Sequence, residues 1–476
     1  MPSKQRALIA VAAAVLLMLW ELSNCAAAHA LFGDFRAFYC AGAALAHGAN
    51  PYAAASIYTC ERVPMPFGLA QAPPGVAVPA PFPGYALLAF VPFGALPYLT
   101  ASVLWLVVLA ATIVLSAWML TRLLDRPFEA MLATLAVGFA VVSLPYGELG
   151  SVIVVALLWL ALALRRSAWT WATVAGGIAM VLPHVALPAL LSVFLFVPAM
   201  RTRLSALAVV LAALDLLCGG PMAAISYLRD VLPAHAHAEI GSTAQYGVTW
   251  VLHGLHASDK AALAGGEISY AIMTLLGLFA ARAFTARLHD PAYAALIPPA
   301  FAVLGGTFMH YTQIMVAIPV ALLLHERSSG RARDVFAGAL LLLAVPWTWV
   351  LGEPALIVVF ALLWGAIAAL VLRCNAAVSL RASLAAAVIA ALILVAGSHF
   401  GSGLHRGEHL TLQGGLAQAS WQAFVQSERA SSSIVWWIAK APTWFGLLLL
   451  TFGCANVLAK NGEVTERAAS LSAVKA

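Results

Sequence analysis

The chain has 476 residues, of which 63% are apolar and 9% charged, and its mean hydropathy is +0.94. Soluble domains carry about 25% charged residues, so this chain has too few charges to coat a water-facing surface, and a soluble fold is excluded. The excess of 25 Lys and Arg over 19 Asp and Glu falls in short clusters between apolar runs. That pattern marks cytoplasmic loops of a membrane protein rather than a nucleic-acid partner.

Lys4 and Arg6 precede an apolar run from Ala7 to Leu19. Ala26-Ala27-Ala28 resembles a cleavage site, but a polytopic remainder needs an anchor, so the run is read as an uncleaved first helix. A spanning helix needs about 20 mainly apolar residues. Runs at 7–24, 80–97, 100–121, 129–144, 148–164, 168–182 and 184–200 fit that requirement in the first part of the chain. Runs at 204–219, 267–285, 291–306, 312–324, 335–350, 355–372, 383–398 and 443–459 follow. Placing Arg201 and Arg203 in the cytoplasm puts Arg282–Arg287, Arg327–Arg333, Arg373–Arg381 and the stretch from Lys460 there too. Segments 220–266 and 399–442, and the turn holding His310, then lie outside. An even number of spans must connect Lys4 to Arg201. Either the Pro-rich run 80–97 does not cross, or 168–200 is one helix broken at Pro183. The expectation is an all-α polytopic bundle of about 12–14 membrane helices with extracytoplasmic loops. Both ends of the chain are expected to be cytoplasmic, in a bacterial cytoplasmic (inner) membrane.

The first outer loop carries GDFRAFYCAGAALAHGANPY, residues 33–52. Residues 34–47 read as an amphipathic helix whose apolar side, with Phe35, Phe38, Tyr39, Ala43 and Leu45, suits the membrane interface. It stops at Gly48, before an Asn50-Pro51-Tyr52 turn. Asp34 opens this helix, either as an N-cap or as an available carboxylate. Four outer groups can carry positive charge. Arg36 either meets a substrate or snorkels to lipid phosphates, and Arg62 follows Glu61 as an ion-pair partner. His253 closes the long outer loop, and His310 starts a late helix. Cys40 and Cys60 share the first outer loop, where a disulfide is feasible in an oxidising compartment. Cys25, Cys218, Cys374 and Cys454 read as small core residues. No Asp-x-Asp pair is present, and His235-Ala-His237 with Glu239 is taken as a polar loop, so no metal is expected.

An acidic residue, an aromatic pair, small residues and then Gly-x-x-Pro-Tyr resemble the first outer loop of glycosyltransferase family 87, of the GT-C superfamily. Further stretches are similar in order: PAPFPGYALLAFVPFGALP at 79–97, YGELGSVIVVALLWLAL at 146–162, AGGIAMVLPHVALPALL at 175–191, QYGVTWVLHGL at 245–255 and GGTFMHYTQIMVAIPVALLL at 305–324. Glu148 stands where the family has Gln, Leu182 where it has Lys, and Tyr246 departs from its Gln-Ser pattern. The resemblance covers about residues 7–325 and implies a catalytic membrane module at 1–325, with additional membrane helices at 326–476. It implies an inverting transferase that moves a sugar, with mannose as the family-based choice, from a polyprenyl-phosphate-sugar. The acceptor is an extracytoplasmic glycolipid or glycan. The lipid-linked sugar is a co-substrate and no cofactor is implied. Carried over residue by residue, Asp34 is the general base and His310 its catalytic partner. Arg36, Tyr39, Arg62, His253 and Gln245 are candidates for substrate contact. The competing reading is a transporter or lipid flippase, for which Glu148, His184 and Asp215 are the intramembrane ionisable residues. A noncatalytic scaffold and a polymer ligase are further alternatives.

Overall fold

The computed structural model describes residues 3–306, 309–350, 410–412, 414–428 and 430–473. Among them the secondary structure is helical, with isolated bridges in place of strands. The expected spans 355–372 and 383–398, the Arg373–Arg381 cluster and Cys374 lie outside the described residues.

The protein is an all-α polytopic bundle. Among the described residues three helices are long and apolar enough to cross a membrane: Tyr98–Leu124, Asp259–Leu288 and Ile434–Ala459. Pro183–Phe196 and Pro198–Cys218 pass the same test together but are bent by 114°. Within 168–200 the helices Trp169–Ala179 and Pro183–Phe196 are parted by a break just before Pro183, and the sharp bend comes later, at Val197. The run 80–97 forms only the eleven-residue stretch Gly84–Gly94, itself split by a 3-10 turn. At 1.5 Å per residue it reaches about 16 Å, half the hydrocarbon thickness, so it does not cross as a continuous helix.

Ala292–Gly305 lies at the centre. It is apolar all round and buried along nearly its whole length, as such a composition requires. It packs against Asp259–Leu288, Pro183–Phe196 and Gly150–Arg165. At one end of the bundle Arg165 grips Asp290, with Nε donating to Oδ1 at 2.8 Å, and its Nη1 donates to the carbonyl of Leu123 at 2.8 Å. Arg126 pairs with Glu326 at the same end.

Candidate active site

A cavity of roughly 460 Å³ opens between helix Gly33–Ala46, the start of helix Gly150–Arg165, the break before Pro183, the segment 227–239 and the His310 turn. Its walls are mostly apolar. Asp34, Glu148, Asp215, Glu239, His184, His235 and His310 are set into them, and among the described lining residues there is no Lys or Arg.

Local backbone features bring Asp34 to this wall. Phe32 adopts a left-handed conformation (φ 60°) and its N–H donates to the carbonyl of Pro145 at 2.7 Å. The helix start is thereby tied to the break at Pro145-Tyr146-Gly147. Gly147 has φ 79°, and a Cβ there would lie 2.6 Å from that of Phe35, so only glycine permits this approach. Phe32 is the capping residue of helix Gly33–Ala46, and no side chain caps it. Asp34 sits in the first turn, where the helix N-terminus favours negative charge, and its carboxyl is available to the cavity beside that of Glu148. The expected apolar face exists, but Phe35 stacks on Trp105 (5.3 Å between centroids) and Phe38 packs on Phe82 (4.9 Å). That face is covered by protein rather than by lipid.

His310 starts the short helix Tyr311–Ile314, whose Gln313 side chain accepts its N–H at 3.3 Å. Its Nδ1 is 3.9 Å from Glu148 and its Nε2 3.7 Å from Glu239. Glu148 is fixed by the hydroxyl of Thr312, and Glu239 by the indole N–H of Trp421. Gln313 also meets His184 Nε2 at 3.0 Å. Burial alone would lower the pKa of His310, but Glu239, Glu148 and Asp34 together raise it to about 9. Burial and the neighbouring Glu148 push Asp34 well above the usual carboxylate range, partly offset by His310. Glu239 is buried, which raises its pKa, yet His310, His235 and Trp421 hold it down at about 2. The arrangement provides a carboxyl with raised proton affinity and, beside it, an imidazolium that keeps its own proton.

The other expected contacts fall outside the cavity. Arg36 is buried, donates to the carbonyls of Cys60 (2.6 Å) and Val63 (3.0 Å), and lies over the Tyr98 ring, rather than snorkelling to lipid. Tyr39 donates to the carbonyl of Leu96 at 2.8 Å, and Arg62 to that of Ala72 at 2.9 Å rather than pairing with Glu61. Cys40 and Cys60 are joined, with 5.8 Å between Cα atoms, and with Arg36 they clamp the Asp34 helix to helix Ala54–Glu61. His253 bonds Ser431 (2.8 Å) in a separate pocket. Gln245 is buried, and its side-chain oxygen accepts the N–H groups of Tyr246, Gly247 and Met309. It pairs with His310 in an antiparallel bridge, so it supports the His310 turn.

Glu239 and Trp421 were not among the expected site residues. The stretch 235–239 is not a polar loop: His235 stands in helix Leu232–Ala238 and Glu239 follows at its end, four residues on. That i, i+4 spacing was visible in the sequence. The pairing of Glu239 with Trp421 had no local signal. Glu148 and Leu182, two of the departures from the family pattern, both stand on the cavity wall.

The model of glycosyltransferase family 87 matches residues 82–316. No curated protein and no solved structure matches the chain. The matched stretch contains Glu148, His184, Glu239 and His310, while Asp34 and Trp421 lie on either side of it. The match to that family covers just under half of the chain, runs through the walls of this cavity, and indicates a membrane glycosyltransferase similar to those of family 87.

Proposed function

We propose that the cavity transfers a sugar, mannose in the first instance, from a polyprenyl-phosphate carrier to a glycolipid or glycan on the extracytoplasmic side. The observation that carries this reading is the meeting of Asp34 and His310 on one cavity wall. The cavity volume lies within the range of small-molecule sites. Leu187, Leu228 and Leu232 line it and are also exposed on the molecule's surface. An apolar mouth of this kind suits a prenyl chain arriving from lipid.

In the proposed reaction the acceptor hydroxyl gives its proton to Asp34 as its oxygen attacks the anomeric carbon. The bond from that carbon to the phosphate oxygen breaks, and the phosphate leaves with the electron pair from the opposite face. Configuration inverts. The His310 imidazolium donates to the departing phosphate as its charge develops. Glu148, His184 and Asp215, which suggested a transport path, are accounted for as walls of the same site.

The test is transfer of radiolabel from polyprenyl-phosphate-mannose to a total lipid extract by wild type and Asp34→Asn. Loss of a general base is expected to slow transfer on the order of 10²–10⁴-fold. Equal transfer by the two proteins would remove Asp34 from the mechanism.

A further inference from the structure

We propose, resting on the transferase reading above, that Trp421 and Lys440 are positioning residues, through which the C-terminal segment fixes His310 and completes the catalytic centre. Both residues lie beyond the family match at 82–316. Trp421 comes from helix Ala417–Glu428 and Lys440 from helix Ile434–Ala473.

They act on His310 from two sides. On the side-chain side, the Trp421 indole N–H donates to one oxygen of Glu239, and the other oxygen lies 3.7 Å from His310 Nε2. A carboxylate held at one oxygen has its second oxygen aimed. On the backbone side, the Lys440 ammonium donates to the carbonyls of Gln245 and Ser242 and lies 3.7 Å from the centre of the Trp250 ring. Trp444, one turn further on, donates to the carbonyl of Tyr246 at 3.0 Å. Gln245 in turn gathers the Tyr246, Gly247 and Met309 amides on its side-chain oxygen, and the Tyr246 N–H donates to the Met309 carbonyl at 2.7 Å. Lys440 is fully buried. Burying an ammonium is costly, and here carbonyl oxygens and an aromatic face offset the cost. The contacts it makes are to the strand-like segment that bridges His310.

Two measurements on the full-length protein test this. Trp421→Phe keeps a ring and removes the donor. Misplacement of a reacting group by about 1 Å costs up to ~100-fold, so kcat is expected to fall ~10–100-fold with little change in donor KM. The alkaline limb of the rate profile is expected to move from about 9 toward the ordinary histidine value of 6.5. A loss of folded protein would scale the rate without moving that limb. An unmoved limb with a wild-type rate overturns the role of Trp421. Lys440→Met is read by hydrogen exchange, which needs no substrate. Peptides covering 245–247 and 309–313 are expected to lose protection, while helix Tyr98–Leu124 keeps it. Unchanged protection at those peptides overturns the role of Lys440. If protection is lost but the wild type transfers no sugar from any polyprenyl-phosphate donor, the ordering role stands and the transferase reading falls instead.

Discussion

At the scale of single residues, the chemistry turns on how three carboxyls share their surroundings with one imidazolium. In the proposed reaction Asp34 accepts the acceptor's proton only after it has lost its own. Burial and the charge of Glu148 delay that loss to well above the ordinary carboxylate range. His310 keeps its proton up to about 9 because Glu239, Glu148 and Asp34 outweigh its burial. The rate should therefore rise along an acidic limb that reports Asp34, displaced above the ordinary carboxylate range, and fall along an alkaline limb near pH 9. Glu148→Gln removes a negative charge from both neighbours at once. Asp34 then ionises more easily and His310 deprotonates more easily, so both limbs should shift to lower pH in profiles of kcat/KM. An acidic limb that stays in place would mean that another group supplies the base. Asp34 and His310, singled out in the sequence by motif resemblance, both line the cavity. Glu148 was legible only as an ionisable residue in an apolar run, because its role depends on which residues lie across the cavity.

At the scale of elements, the Asp34 helix is positioned by close contact with the short stretch Gly84–Gly94. A Cβ on Gly42 would lie 2.5 Å from the Phe90 carbonyl oxygen, and one on Gly94 would lie 2.5 Å from the Ala43 nitrogen. Backbone meets backbone, so neither side can yield by turning a side chain. Gly42→Ala must push the two elements apart, and the rigid helix carries that displacement two turns back to Asp34. Gly42 does not line the cavity, yet kcat should fall ~10–100-fold, with a smaller effect on acceptor KM in steady-state assays. Retention of full kcat would show that the helix position is not set by this contact. The sequence reading found the helix and its apolar face, because periodicity is local. It assigned that face to the membrane interface, whereas Phe93, Tyr98 and Trp105 cover it. Periodicity shows that a face is apolar but not what buries it. The Pro-rich run 80–97, which folds back under the helix, matched a span in composition but not in conformation.

At the scale of the whole molecule, the cavity and the basic clusters occupy opposite ends of shared helices. Helix Gly150–Arg165 begins at the cavity wall with Gly150 and ends at the Arg165–Asp290 pair. Its sixteen residues separate those points by about 22 Å, at 1.5 Å per residue. In the proposed orientation, with Arg165, Arg201 and Arg203 in the cytoplasm by the charge bias, the cavity lies toward the outer face. That orientation is an expectation from charge and length. The closure of the site by Trp421, 182 residues from Glu239, did not follow, since no local pattern links two such distant segments. The orientation can be tested directly in intact cells. Cysteine placed at His256, an exposed position on the pocket that holds His253, should react with a membrane-impermeant maleimide added outside. Cysteine at Arg203, also exposed, should react only after permeabilisation, with wild type setting the background. The reverse pattern would turn the cavity toward the cytoplasm. A sugar delivered there would have to come from a donor on the inner leaflet, and an extracytoplasmic acceptor could not reach Asp34.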